Sequence, residues 1–166
     1  MPEIKTKKTE QKVDAFLNSL KDEKQRTDAF AIVEMMKKAS NSEAQMWGSA
    51  IIGFGKYWYK TADNKVHDWF MIGFSPRSGK FSLYLVGEKK DKFIALLEKL
   101  GKYKMSQGNT GCLYINKLED VDVKILSELF ETQVKVCTDS PPPKWKYPFR
   151  NGMDLKAISY LLKAIC

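Results

Sequence analysis

The chain has 166 residues, 43% of them hydrophobic and 12% aromatic, and carries a formal net charge of +8. That is one domain with enough apolar material for a core, or one domain with an appendage, needing neither metal nor disulfide staples. No apolar run approaches the roughly 20 residues that span a bilayer, and the lysines before Lys12 precede no apolar block, so neither a membrane protein nor a secretory leader is expected. The default expectation is a soluble cytoplasmic protein.

From the N-terminus, residues 1 to 9 read as disordered. Val13, Phe16, Leu17 and Leu20 then recur at helical spacing. Asp22 with Gln25 has the form of a capping box. It opens a second helix that runs to about Lys38, with Ala29, Phe30, Val33 and Met36 on one face, and Ser40, Asn41 and Ser42 end it with turn chemistry. The two helices should pack as a hairpin on a sheet.

That sheet is aromatic-rich. After Met46-Trp47-Gly48, which leads into it, three strands are predicted: Ile51 to Lys60, Val66 to Ser75 and Lys80 to Val86. Gly53 and Gly55 mark a bulge or a close backbone approach. Residues 75 to 79, Ser-Pro-Arg-Ser-Gly, read as a tight turn with Pro76 in its second position. Short connections imply an antiparallel meander. Alternation puts Phe70, Ile72 and Phe74 with Phe81, Leu83 and Leu85 on the core face, and leaves Trp69, Met71, Tyr84 and Val86 on the other. A wet face should be more polar, so the tail, a partner subunit or a ligand is expected to cover it.

Next comes a helix from Asp91 to Leu100, with Phe93, Leu96, Leu97 and Leu100 inward and Gly101 as its stop. A polar loop from Lys102 to Thr110 leads to a short strand, Cys112 to Ile115. Asn116 or Asp120 opens another helix, with Val123, Leu126, Leu129, Phe130 and Val134 inward. Three consecutive prolines in the stretch 138–143 mark a linker. Trp145, Tyr147 and Phe149 follow, then an amphipathic helix with Leu155, Ile158, Leu162 and Ile165. The expected class is α+β: an N-terminal helical hairpin packed on an antiparallel β-meander, then helix, strand, helix and a helical tail. The expected division is a domain over 10–137 and an appendage over 138–166.

The motifs also carry a resemblance. Met46-Trp47-Gly48, Gly53-Phe54-Gly55, Tyr57 and Tyr59, then the run 73–77 (Gly-Phe-Ser-Pro-Arg), stand in order. Leu97, Leu100, Gly101 and Lys102 follow, then Cys112 to Ile115 before Leu118, Asp120 and Asp122. Together they resemble the YdhG-like family, a domain of unknown function, over roughly residues 10 to 137. The resemblance implies a compact α+β domain. It also implies a possible intracellular iron-chaperone role likened to that of frataxin, for which Glu119, Asp120 and Asp122 are the candidate carboxylates.

The residues themselves offer few catalytic constellations. His67 is the single histidine, which excludes a histidine-rich metal site, and the spacing around Gly73 to Lys80 is wrong for a phosphate loop. Cys112, Cys137 and Cys166 are too few and too widely spaced for a disulfide framework or a zinc site. No cofactor and no catalytic residue is expected. The strongest signal is the aromatic set Trp47, Tyr57, Trp58, Tyr59, Trp69 and Tyr84, with Arg77 at the adjoining turn. Most such residues serve a core, but they also line pockets and partner surfaces. Beside Lys56 and Lys60 they could hold single-stranded nucleic acid. The expectation is a non-enzymatic binding or chaperone-like module for a small ligand or protein partner, monomeric or homodimeric. Iron carriage and weak nonspecific nucleic-acid binding are the alternatives.

Overall fold

The computed structural model describes residues 6–60, 65–85, 91–106 and 112–139. The expected tail, with Trp145, Tyr147, Phe149 and the helix beyond, lies outside the described residues, as does Val86. The architecture is α+β. Helices α1 (Val13–Asn18) and α2 (Glu23–Ser40) precede strands β1 (Ala44–Trp47), β2 (Ile51–Phe54), β3 (Tyr57–Lys60), β4 (Val66–Trp69), β5 (Ile72–Arg77) and β6 (Lys80–Leu85). Helix α3 (Asp91–Leu100), strands β7 (Lys104–Met105) and β8 (Leu113–Ile115), a 3-10 turn and helix α4 (Val123–Asp139) complete the described chain. Six strands form one antiparallel sheet in the order β1-β2-β5-β6-β8-β7, and β3 and β4 form a separate two-stranded ribbon.

One core joins the helices to one sheet face. Ile52, Phe54, Ile72, Phe74, Phe81, Leu83, Leu113 and Ile115 meet Leu17, Ile32 and Met36 from the N-terminal helices and Phe93, Leu100, Leu126, Leu129 and Phe130 from α3 and α4. The alternation read at Ile72, Phe74, Phe81, Leu83 and Leu85 is therefore the core face. The helix-end chemistry holds except that the capping box is half formed, since the Gln25 side chain bonds the Arg77 and Lys80 carbonyls rather than the Asp22 N–H. The Asp22 carboxylate accepts the Gln25 main-chain N–H at 2.8 Å. Asn41 ends α2 in the left-handed region at φ 48°, and Gly101 stands after α3 at φ 115°.

Several expectations need correction. Residues 51–60 and 66–75 are not two continuous strands. Each breaks, at Gly55-Lys56 and at Phe70-Met71, although the cross-strand register continues from Phe54↔Ile72 to Tyr57↔Trp69. The cause is local: Gly55 takes φ +73°, which disfavours any side chain, and the Met71 side chain occupies the space where a Cβ would stand. The break turns Phe70 over. It was expected on the core face, but its ring lies on the opposite face, above Gly53 and Gly73 and against Trp47, Trp69 and Tyr84.

Met46 and Trp47 do not lead into the sheet; they belong to its edge strand β1. Pro76 is not in a turn but in β5, paired with Phe81, and the turn is the two residues Ser78 and Gly79. Proline is tolerated there because β2 has already ended alongside it, so its missing N–H costs the sheet no bond. The loop expected after Lys102 contains β7. Helix α4 is opened by Asp122 rather than by Asn116 or Asp120, and Val123, expected inward, is 45% exposed. Among the described residues no helix is long and apolar enough to cross a membrane.

Candidate functional site

The sheet face away from the core carries the aromatic residues singled out in the sequence. Glycines at 53 and 73 face each other across β2 and β5, and having no side chains they leave a flat floor. Phe70 lies on that floor, fully buried. Trp69 stacks on it at 4.6 Å between ring centroids, Tyr84 meets it edge-on at 6.1 Å, and Trp47 meets it edge-on at 5.5 Å and Trp69 at 5.4 Å. Such offset and edge contacts add about 0.5–1.5 kcal/mol each beyond burial. Trp47 is 2% exposed and takes the Lys8 ammonium over its ring at 5.2 Å. It is thus a packing residue of the cluster, whereas Trp69 and Tyr84 stay partly exposed.

The ribbon continues this surface. In its register Tyr57 stands opposite Trp69, and Tyr59 opposite His67, so these four share one ribbon face. The Tyr59 and His67 rings are 5.6 Å apart. Trp58 stands opposite Asp68 on the other ribbon face. Tyr57, Trp58 and Tyr59 are all partly exposed. Burial raises the hydroxyl pKa of Tyr57, with a further rise from the nearby Cys137, and burial pushes the Cys137 thiol up to about 12. The Cys137 sulfur lies 3.8 Å from the Met71 carbonyl, which ties the end of α4 to the break in β4–β5. Arg77 is not part of the cluster. It is exposed at the far end of β5, where its carbonyl accepts the Gln25 side-chain amide.

The acidic trio has other duties. The Asp122 carboxylate accepts the N–H groups of Lys124 and Ile125 at 2.9 and 3.2 Å, as the N-cap of α4. Glu119 is paired with Lys117, whose hydrogen bond and charge hold its carboxyl below the ordinary value, with a further contribution from Lys24. Asp120 accepts the Lys102 N–H through its main-chain carbonyl at 2.9 Å. Among the described residues no group of three His, Cys, Asp or Glu is arranged to hold a metal ion.

The sequence reading missed Asp28. It is buried at 4% exposure, accepts the Leu118 main-chain N–H at 3.0 Å and pairs with Lys24 at 3.2 Å. Its signal was its spacing, four and eight residues before Ile32 and Met36, on the buried stripe of α2. It anchors the segment before α4 rather than a ligand.

Comparison of the chain with known protein families, with curated proteins and with solved structures finds no match.

Proposed function

We propose that the protein is a non-enzymatic binding module whose recognition surface is the aromatic ribbon and the sheet face it adjoins. One observation carries the reading: Tyr57, Tyr59, Trp69 and Tyr84 all remain partly exposed, with Trp69 and Tyr84 packed on the buried Phe70 and with Tyr57 and Tyr59 on the ribbon face of Trp69 by register. Large, stiff aromatic side chains held in place by packing present contact area at little entropic cost, and this is the composition of binding hot spots. The partner class is a flat or apolar group, on a small ligand or on another protein. A cytoplasmic setting and the resemblance to the YdhG-like family are part of the same proposal.

Iron carriage draws less support, since two of its three carboxylates already serve a helix cap and an ion pair.

The test is protein-observed NMR with a set of monocyclic and bicyclic aromatic compounds and apolar peptides. Shifts are expected at the indole of Trp69 and the amides of β3, β4 and residue 84, and Trp69→Ala should abolish them. No shift with any compound, or shifts confined to other surfaces, would overturn the proposal.

A further inference from the structure

The six strands of the main sheet contain neither Asp nor Glu; their charged residues are Arg77, Lys80 and Lys104. Lys80 and Lys104 line one cleft at the end of the sheet away from the aromatic cluster. There the pairing β6-β8-β7 sets Ser82, Tyr114 and Lys104 in one cross-strand row, so their side chains share the face away from the core. The Lys80 ammonium lies over the Tyr114 ring, 5.2 Å from its centroid. Lys80, Lys104 and Tyr114, with Lys102, Tyr103, Gly101 and Asn116, line a cleft of about 370 Å³. That is within the usual size of a small-ligand site.

Three lysines lining one small cleft concentrate positive charge there, and an anion entering it would offset that charge. The described residues supply none. Lys24, Lys37, Lys92 and Lys117 each have a carboxylate partner, whereas none is paired with Lys80, Lys102 or Lys104. Asp120, which holds the Lys102 N–H through its carbonyl, does not line the cleft. A larger cleft, about 640 Å³, between the N-terminal segment and α2 shows the contrast. Its lysines stand among Glu10, Asp14, Glu34 and Glu43, and Lys37 is paired with Glu43 at 2.9 Å.

We propose that the Lys80–Lys102–Lys104 cleft binds a nucleoside phosphate unit, free or within a single strand of nucleic acid. The lysines take the phosphate, the Tyr114 ring takes the face of the base or the sugar, and Asn116 offers an amide to a base edge. A phosphate suits the cleft better than a carboxylate because it gives three ammonium groups up to two charges and three acceptor oxygens in one compact unit. A ring beside the cations adds the stacking surface that base-bearing ligands use.

The site is independent of the aromatic ribbon. Fluorescence anisotropy of a short labelled oligothymidine at low salt tests it, with AMP, inorganic phosphate and polyglutamate as competitors. The double substitution Lys80→Ala/Lys104→Ala should weaken binding about tenfold or more and flatten the slope of log affinity against log salt by about 1.4, at roughly 0.7 per phosphate contact. Tyr114→Ala should weaken it about fivefold or more, and Lys80→Arg/Lys104→Arg should retain it.

AMP competing at the same site identifies a free nucleotide as a sufficient ligand. Binding of the oligonucleotide without competition by AMP assigns the site to the polymer. The proposal fails if neither binds, or if inorganic phosphate or polyglutamate competes as well as the nucleotide ligands. It fails equally if Lys99→Ala/Lys135→Ala, which removes the same charge from helices α3 and α4, costs as much. A loss with Trp69→Ala equal to that with the paired lysine substitution would move the site to the aromatic ribbon and overturn this assignment.

Discussion

Replacing Gly53 by alanine tests the packing on which the aromatic surface rests. A Cβ at residue 53 would stand 2.6, 2.7 and 2.8 Å from Cδ1, Cγ and Cβ of Phe70, distances that real carbon contacts do not reach. The Phe70 ring would have to lift away from the sheet and lose part of its contact with Trp69 and Trp47. Such overpacking costs about 1–3 kcal/mol. Removing a glycine stiffens the unfolded chain and returns about 0.4–1 kcal/mol. The net expectation for Gly53→Ala is a loss of about 1–2 kcal/mol, read by urea unfolding.

The decisive comparison is with Gly73→Ala in the presence and absence of Phe70→Ala. At residue 53 all three nearest atoms belong to Phe70, and two of them vanish in the Phe70→Ala background. The Gly53→Ala penalty should then shrink, with a coupling of about 1 kcal/mol, without vanishing, because the Cβ of residue 70 stays 2.8 Å from the added carbon. At residue 73 the nearest atom is the Ile52 carbonyl oxygen, 2.7 Å from the added carbon, and truncating Phe70 leaves it in place. Gly73→Ala should therefore remain costly in both backgrounds. A neutral Gly53→Ala in the intact protein, or equal relief at both glycines, would refute the reasoning.

Four further outcomes are expected. Asp28→Ala leaves the buried Leu118 N–H without its acceptor and should cost about 1–3 kcal/mol in urea unfolding, with Asp28→Asn milder because it keeps an acceptor oxygen. Asp122→Ala removes the α4 cap and should cost about 1 kcal/mol in the same assay. A ferrous iron titration by calorimetry of the intact protein should show no tight site lost in Asp122→Ala, and a stoichiometric site that disappears with this residue would restore the iron reading. Cys137 favours its protonated form in the fold, because its folded pKa of about 12 lies above the ordinary thiol value of 9.0. Its contribution to stability is therefore complete below about pH 9 and lost as pH rises from 9 through 12. Unfolding midpoints over that range should fall less steeply in Cys137→Ala.

Much of the fold was written in periodicity. Phe74, Phe81 and Leu83 fall on the core face because strand alternation and one buried face leave them no other place. Asp22, Asn41 and Gly101 mark helix ends through backbone chemistry that is local and so readable. What failed was non-local. Alternation carries Phe70 to the core face unless the strand is known to break. The glycine at 55 allows that break without requiring it. Strand β7 is two residues of a lysine-rich stretch, which nothing in the local pattern separates from a loop. The aromatic candidates were readable because Tyr57 to Tyr59 are contiguous and Trp69 is near in sequence, though the burial of Trp47 was not. Lys80, Lys102 and Lys104 converge only through the β6-β8-β7 pairing, so no window of sequence could have joined them.

Strand β1 lies at one rim of the sheet, yet its outer side is occupied. Thr9 donates its main-chain N–H to the Met46 carbonyl at 3.0 Å, Gly48 donates to the Lys7 carbonyl at 2.8 Å, and Gln45 reaches the Thr9 carbonyl through its side chain at 2.8 Å. An uncovered rim of this kind is a template on which a second molecule can add its own strand. Residues 7–9 thus act as a selvedge: they use up the bonds that would otherwise propagate the sheet into a neighbour, and they bring lysine charge to the seam. Trimming the chain to begin after Gln11 would remove this finish and leave Ala44–Trp47 bare. The cut protein should self-associate with rising concentration in sedimentation, while the full chain does not.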